Sequence, residues 1–307
     1  MCGIVGAAAD RNVVGILLEG LQRLEYRGYD SAGLTVLSED QQVMRFREVG
    51  KVQSLRDKCK QAMPRGQIGI AQTRWETHGK PTEQNAHPHV SNDAVAIVHN
   101  GIIENHERLR EALSGDGYVF TSETDTEVMA HLVDQQVKLT GNFRAGVTAA
   151  LTQLEGAYAI AVQHRDYPSE LIGARQGSPL VVGLGIGENF IASDPQALRP
   201  VTDRFIYLEE GELVQLSRDE ISIFGGSSDA IASRTVTLDG RDDAADKGNY
   251  RHYMIKEIHE QPQAIRNTLQ GRLGRHGVLE QAFGVEASAL FERAEGVQIV
   301  ACGTSYY

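Results

Sequence analysis

A chain of 307 residues with 41% hydrophobic content has room for about two domains and enough apolar side chains to fill ordinary cores. Its 41 acidic residues against 30 basic ones leave a formal charge of −11, which argues against a nucleic-acid or anionic-membrane surface but leaves room for a local basic pocket. The three cysteines, Cys2, Cys59 and Cys302, are odd in number and widely spaced, which fits neither a disulfide framework nor a zinc site. No apolar stretch approaches the ~18 residues of a membrane span, and no signal-peptide pattern precedes Cys2, so a cytoplasmic location is expected.

Residues 2–9 read as a short buried strand, and Asp10 starts a helix whose apolar positions Val13, Val14, Leu17, Leu18, Leu21 and Leu24 recur at helical spacing. Strands are predicted at Ala32–Leu37, Val43–Val49, Ile68–Thr73 and Ala94–His99, β-rich runs mostly bounded by Gly, Asn, Asp or Pro. Helices follow near 104–114, 125–138 and 143–154. Strands then resume at Ala157–Gln163, Leu171–Ala174, Leu180–Leu184, Phe190–Ala192, Arg204–Glu209 and Glu212–Ser217. Short strands on both sides of a helical block suggest packed sheets covered by helices rather than regular βαβ alternation. After Ile223 the composition turns small, polar and acidic, which reads as a domain end at 224 and a connector over 225–249. A helix is predicted to start near His252 and to break around Pro262. Val297–Ala301 reads as a buried strand running into Cys302-Gly303-Thr304-Ser305. A parallel-sheet strand needs neighbours and crossover helices, so the chain is expected to be a fragment of something longer.

Chemistry concentrates at the start. Cys2 follows the initiator methionine, and trimming that methionine would place a thiol and a free α-amine on one residue. An α-amine titrates near ~7.7–8.0 and can serve as the base for its own thiol. A small apolar cysteine packed in a buried strand remains the alternative. The run Tyr26-Arg27-Gly28-Tyr29-Asp30 is a Gly-punctuated entry into a strand, or merely a tight connection. Thr73-Arg74-Trp75-Glu76-Thr77-His78-Gly79 gathers a bidentate cation, the single tryptophan, hydroxyls and an imidazole, or is a polar loop with a packed tryptophan. Asn100 and the N–H of Gly101 can both face a developing oxyanion, although Asn-Gly is also the commonest hairpin turn. Thr124 with Glu127 reads as a capping box, with Asp125 in the first helical turn. Together these parts describe a receptor for a zwitterionic amino acid: Arg74 for the α-carboxylate, Asp125 for the α-ammonium, and Asn100 with Gly101 for the amide oxygen during attack by Cys2.

The opening Cys2-Gly3-Ile4-Val5-Gly6 resembles the class II glutamine amidotransferases. The segments Leu24–Gly33, Thr73–Gly79, Asn85–His89, His99–His106 and Ser122–Glu127 resemble, within that class, the isomerising glutamine–fructose-6-phosphate aminotransferase family. Residues 250–258 are similar to its interdomain segment, and Cys302–Ser305 to the first loop of its sugar-isomerase domain. The resemblance implies an α+β chain: a four-layer α/β/β/α N-terminal nucleophile hydrolase sandwich over 2–224, the 225–249 linker, and a truncated α/β sugar-isomerase domain over 250–307. It implies Cys2 as nucleophile with Asn100 and Gly101 as oxyanion hole. Arg74, Thr77 and His78 would form the carboxylate site, and Asp125 the amine site. Trp75 would sit on a mobile loop linked to ammonia passage, Arg27 would help order the nucleophile region, and Thr304 and Ser305 would begin a sugar-phosphate cradle. Glu76 stands where the family is expected to have a small residue and adds a charge beside Trp75.

The implied substrates are L-glutamine and, in the full-length protein, fructose 6-phosphate, giving glucosamine 6-phosphate in amino-sugar biosynthesis. A homo-oligomer is implied at full length, with neither nucleic acid nor membrane as partner. Neither a cofactor nor a metal is expected. Another class II amidotransferase, a stand-alone glutaminase, or a non-catalytic glutamine or sugar-phosphate sensor stays open as an alternative.

Overall fold

In strand β1 (Gly3–Ala9), Val5, Ala7 and Ala9 enter one apolar core while Ile4 and Ala8 enter another. Side chains of a strand alternate between faces, so a strand that is apolar throughout must be covered on both sides. The same division recurs in β6 (Val95–Ile103): Val95 and Ile97 face one core, and Ala96 and Val98 face the other. This double burial dictates two stacked sheets with helices outside them. The computed structural model describes residues 2–75, 82–226, 231–238, 250–269 and 287–300. It divides into two units, Met1–Ala245 and Asp246–Tyr307.

The first unit holds the layers. One sheet joins β1 to β2 (Ser31–Leu37), β3 (Val43–Val49), β4 (Ile68–Arg74), β9 (Val181–Leu184), β10 (Glu188–Ala192), β11 (Arg204–Tyr207) and β14 (Val236–Thr237). Its order is β14-β11-β9-β10-β1-β4-β2-β3, so β1 lies centrally between β10 and β4. The other sheet contains β5 (His89–Ser91), β6, β7 (Gly156–His164), β8 (Leu171–Gln176), β12 (Leu213–Leu216) and β13 (Ile221–Phe224), ordered β13-β12-β8-β7-β6-β5. The strand pairs in both sheets are antiparallel. Helices α1 (Val14–Leu24) and α2 (Val52–Ala62) cover the first sheet through Leu17, Leu21, Leu24 and Leu55. Helices α3 (His106–Gly115), α4 (Asp125–Thr140) and α5 (Phe143–Leu151) cover the second through Leu109, Val128, Leu132 and Phe143. Between the sheets lies a third core of Ile4, Ile70, Val98, Ala161, Val182 and Ile191. The α/β/β/α order expected for this region is thus the order observed.

Local chemistry explains the element ends. Thr124 caps α4 by accepting the Glu127 N–H at 3.3 Å. The other half of the expected capping box is diverted: the Glu127 carboxylate takes the N–H groups of Thr121 and Ser122 and both their hydroxyls instead. Those donors outweigh burial and hold the carboxyl below its usual range. Gly141, at φ +65°, ends α4 in the left-handed conformation, and Asn142 caps α5 through the N–H of Ala145. Strand β6 runs straight through Asn100-Gly101, paired to Ala159 and Tyr158 of β7, so the hairpin-turn alternative for that dipeptide does not hold.

The stretch 225–249 that composition assigns to a connector is not uniform. Residues 231–234 form one helical turn, α6 (Ile231–Arg234), and β14 adds an edge strand to β11. Arg234 ties this segment to the buried Glu212 by two bonds of 2.6 and 2.8 Å.

In the second unit, α7 (Tyr253–Leu269) continues through Pro262 instead of breaking there. Proline removes one N–H from the ladder, and the flanking Glu, Gln, Ala, Arg and Leu favour helix strongly enough to carry it across. A second helix, α8 (Ala287–Arg293), follows. The predicted buried strand at Val297–Ala301 is also corrected. Val297, Ile299 and Val300 are 85–87% exposed, and residues 296–300 carry no strand. An apolar run becomes a strand only where a neighbour takes its N–H and C=O groups, and among the described residues no neighbour does. Residue 301 and the Cys302–Ser305 loop lie outside the described residues.

Candidate functional site

Two glycines let the chain close around its own start. A Cβ on Gly3 would stand 2.7 Å from the Leu24 Cβ and 2.8 Å from the Thr73 Oγ1, so only glycine lets β1 enter beside α1 and β4. A Cβ on Gly28 would stand 2.9 Å from the carbonyl carbon of Arg74. The turn Glu25–Arg27, which Arg27 closes, therefore leads onto the backbone at the end of β4. Because Gly3 pairs with Thr73, Cys2 emerges next to Arg74 and Trp75. The Trp75 N–H donates to the Cys2 Sγ at 3.3 Å, and the thiol donates to the Trp75 carbonyl at 3.5 Å. Trp75 itself is 43% exposed, with its ring edge-on to Tyr29 at 5.3 Å between centroids.

The facing sheet supplies the other groups. Alternation along β6 turns Asn100 to the same side as Ala96 and Val98, toward the opposite sheet, and turns His99 toward α4. The Asn100 Nδ2 donates to the Cys2 carbonyl oxygen at 3.0 Å. Gly101 has φ +135°, and a Cβ there would fall on the carbonyl oxygen of Ala157, so no other residue fits. Asp125, in the first turn of α4, accepts the Ile103 N–H at 2.9 Å and has the His99 Nδ1 3.8 Å away. Burial pushes its carboxyl up, but His99 and the Ile103 N–H outweigh that and hold it well below the usual carboxylate range. Asp125 is therefore an anion at neutral pH.

The Thr126 Oγ1 touches the His87 Nε2 at 2.7 Å and the His99 Nδ1 at 3.1 Å. Burial first, then His89 and Arg74, lowers the His87 pKa well below the ordinary histidine value, so this ring is neutral. The buried Arg74 supplies the fixed positive charge on the other side.

Cys2, Arg74, Trp75, Asn100, Gly101 and Asp125 line one cavity of ≈ 280 Å³, completed by His87, His99, Ile102, Thr124, Thr126, Ser178 and Pro179. Six residues singled out from the sequence thus meet at one place. Thr77, His78, Thr304 and Ser305, together with Glu76, lie outside the described residues. Sequence reasoning gave no role to Gln72, His87 or Thr126. Gln72 carried a signal: it is a polar residue on the inward face of an apolar strand, in line with Ile68 and Ile70. The second free cysteine, Cys59, is buried in α2, and burial raises its thiol to about 11. Among the described residues, no group of three His, Cys, Asp or Glu side chains is arranged to hold a metal, and no helix is long and apolar enough to cross a membrane.

Residues 73–200 match the family described as glutamine amidotransferase domain. Over all 307 residues the chain is 57% identical to a glutamine–fructose-6-phosphate aminotransferase (isomerizing) of Idiomarina loihiensis and 56% identical to one of Pseudomonas putida, covering 50% of each. Over its whole length the chain is thus similar to these aminotransferases. It spans about half the length of the curated relatives it matches. Among solved structures, a glutamine phosphoribosylpyrophosphate amidotransferase from B. subtilis, complexed with ADP and GMP, superposes with a TM-score of 0.63. That match is 23% identical and covers 74% of this chain and 50% of that one, a shared fold. The layered arrangement of the first unit is thus one that a known glutamine amidotransferase shares.

Proposed function

We propose that the first unit hydrolyses L-glutamine through a thioester on Cys2. The observation that carries this reading is that a thiol, an amide donor, a buried guanidinium and a buried carboxylate border one small cavity. Removal of Met1 leaves the Cys2 α-amine free to take the thiol proton. The sulfur attacks the side-chain carbonyl carbon, a C–S bond forms, and the carbonyl π pair moves onto oxygen, where Asn100 Nδ2 and the Gly101 N–H stabilise it. Collapse of that adduct breaks the C–N bond, and the proton held on the α-ammonium leaves with the nitrogen as ammonia. Water then cleaves the thioester to glutamate. Arg74 and Asp125 orient the substrate by its α-carboxylate and α-ammonium, with Thr77 and His78 assigned to the same carboxylate site. Trp75 and Arg27 serve the loop and turn that border the thiol.

The wider assignment is that this ammonia converts fructose 6-phosphate to glucosamine 6-phosphate. In it, 2–224 is the glutaminase domain, 225–249 the linker, and 250–307 the start of a sugar-isomerase domain to which Thr304 and Ser305 belong. The sugar step is assigned to the half of the relatives that lies outside the match. Separate assays of the 307-residue chain for glutamate and for glucosamine 6-phosphate test this: glutamate is expected without amino sugar. Amino sugar made from glutamine by this chain would refute the division of labour, and no glutamate at all would refute the glutaminase.

A further inference from the structure

We infer that Gln72 is a positioning residue for glutamine hydrolysis: its amide dictates which atom of Asn100 faces the reacting carbonyl. This rests on the glutaminase reading above. The argument begins with the short strand β5, which pairs Ser91 with Val95 and His89 with Ile97 and then stops. His99 is the next residue of β6 whose backbone groups point to that edge, and β5 does not reach it. Gln72 of the opposite sheet takes the missing rung. The His99 N–H donates to the Gln72 Oε1 at 3.1 Å, and the Gln72 Nε2 donates to the His99 carbonyl at 2.6 Å.

A backbone N–H can only donate and a backbone carbonyl can only accept, so this pair fixes which end of the Gln72 amide is which. The Gln72 Nε2 also donates to Asn100 at 3.1 Å, and the atom it meets must be the acceptor, Oδ1. The Asn100 NH2 group is then left for the Cys2 side, where the Cys2 carbonyl, again an obligate acceptor, receives it at 3.0 Å. A donor thus faces the nucleophile before any charge develops there. An amide turned over would present an oxygen lone pair to a forming oxyanion and raise the barrier instead of lowering it. Gln72 is 1% exposed, which keeps water from competing for these bonds. The chain of constraint therefore runs from the His99 backbone through Gln72 to Asn100.

The test uses the 307-residue chain carrying Gln72→Met or the isosteric Gln72→Glu, each alone and combined with Asn100→Ala. Four quantities are read: kcat and KM for glutamine hydrolysis, and the inhibition constants of glutamate and of the aldehyde analogue of glutamine, to which the Cys2 thiol adds to give a tetrahedral hemithioacetal carbon bearing an oxygen where the oxyanion would form. The expected result for either single variant is a kcat lower by about tenfold to a hundredfold, below the loss for deleting the donor itself. KM should stay within about threefold, and aldehyde affinity should fall in step with kcat. With Asn100→Ala already present, changing Gln72 should cost nothing further. A merely structural role would instead raise KM and weaken glutamate binding along with the aldehyde. If Gln72→Met does not fold, Gln72→Glu decides, since its carboxylate can accept from Asn100 but cannot donate to it. Full kcat in a Gln72 variant, or additive losses in the double variant, overturns the positioning role alone. Full kcat in Asn100→Ala overturns both this inference and the oxyanion assignment beneath it.

Discussion

The two walls of the cavity are built differently. On the first sheet, the partly buried Cys2 and the exposed Trp75 sit at strand ends and hold each other through sulfur–backbone contacts of 3.3 and 3.5 Å. On the second, Asn100 is held by the Gln72 amide, Gly101 by its place in the ladder opposite Tyr158, and Asp125 by the Ile103 N–H. The contrast follows from what each side must do. On the function proposed above, the nucleophile has to travel toward the substrate as its bond forms, which contacts to sulfur alone permit. Donors that stabilise a developing charge act best when they need no reorganisation, so they are held tightly. The thiol is thus held only by contacts to its sulfur, whereas the charged groups of both walls, Arg74 on the first and Asp125 on the second, are buried.

The largest blow to this contrast removes the moving part. Cys2→Ala should abolish glutamate release while glutamine still binds, because Arg74 and Asp125 are untouched; turnover assays with calorimetric titration check both halves. Next comes the fixed wall: Asn100→Ala should lower kcat by about 10²–10³ with little change in KM, measured by steady-state kinetics. A similar fall in affinity for glutamate would mean that Asn100 shapes the pocket and does not stabilise charge. Smaller still is Arg74→Ala. Losing a charge-assisted bond of about 1.5–3 kcal/mol should weaken glutamine roughly tenfold to a hundredfold. Glutamine with a neutral α-carboxamide should distinguish little between the wild type and this variant.

The smallest expected effect is on stability. Burial with His89 and Arg74 keeps His87 neutral, and burial with Arg47 and Arg45 does the same for His89. Below about pH 6.5 each binds a proton in the unfolded chain but not in the folded one, so stability is full above that pH and declines as pH falls. Each ring contributes up to about 1.4 kcal/mol per pH unit to that decline. Urea unfolding at pH 7.5 and 5.5 should show it, and His87→Gln should flatten the slope.

Much of this was legible because it is local. The β1 alternation, the α1 spacing and the Thr124 cap each depend on neighbours within a turn or two. What escaped is non-local. Helix α2 buries only Val52, Leu55 and Cys59, too thin a stripe to read, and its first N–H is taken by Glu25 from another element. Strand β5 is three residues long, and its reach matters only because Gln72 completes the next rung. Val297–Val300 shows the converse, an apolar run with the right composition and nothing beside it among the described residues. The meeting of Cys2 with Asn100 joins residues from two stacked sheets; it is expected from the chemistry of the parts and the family resemblance, since no periodicity within either strand predicts it.

The central claim is that Cys2, freed of Met1, is the nucleophile of a glutamine pocket. The most direct test is peptide mass mapping after reaction with a glutamine analogue bearing an electrophilic carbon in place of the side-chain amide. The account predicts one adduct, on a peptide beginning at Cys2, formed more slowly when glutamine is present. An adduct on Cys59, an unmodified Cys2, or labelling of a peptide that still carries Met1 would contradict it.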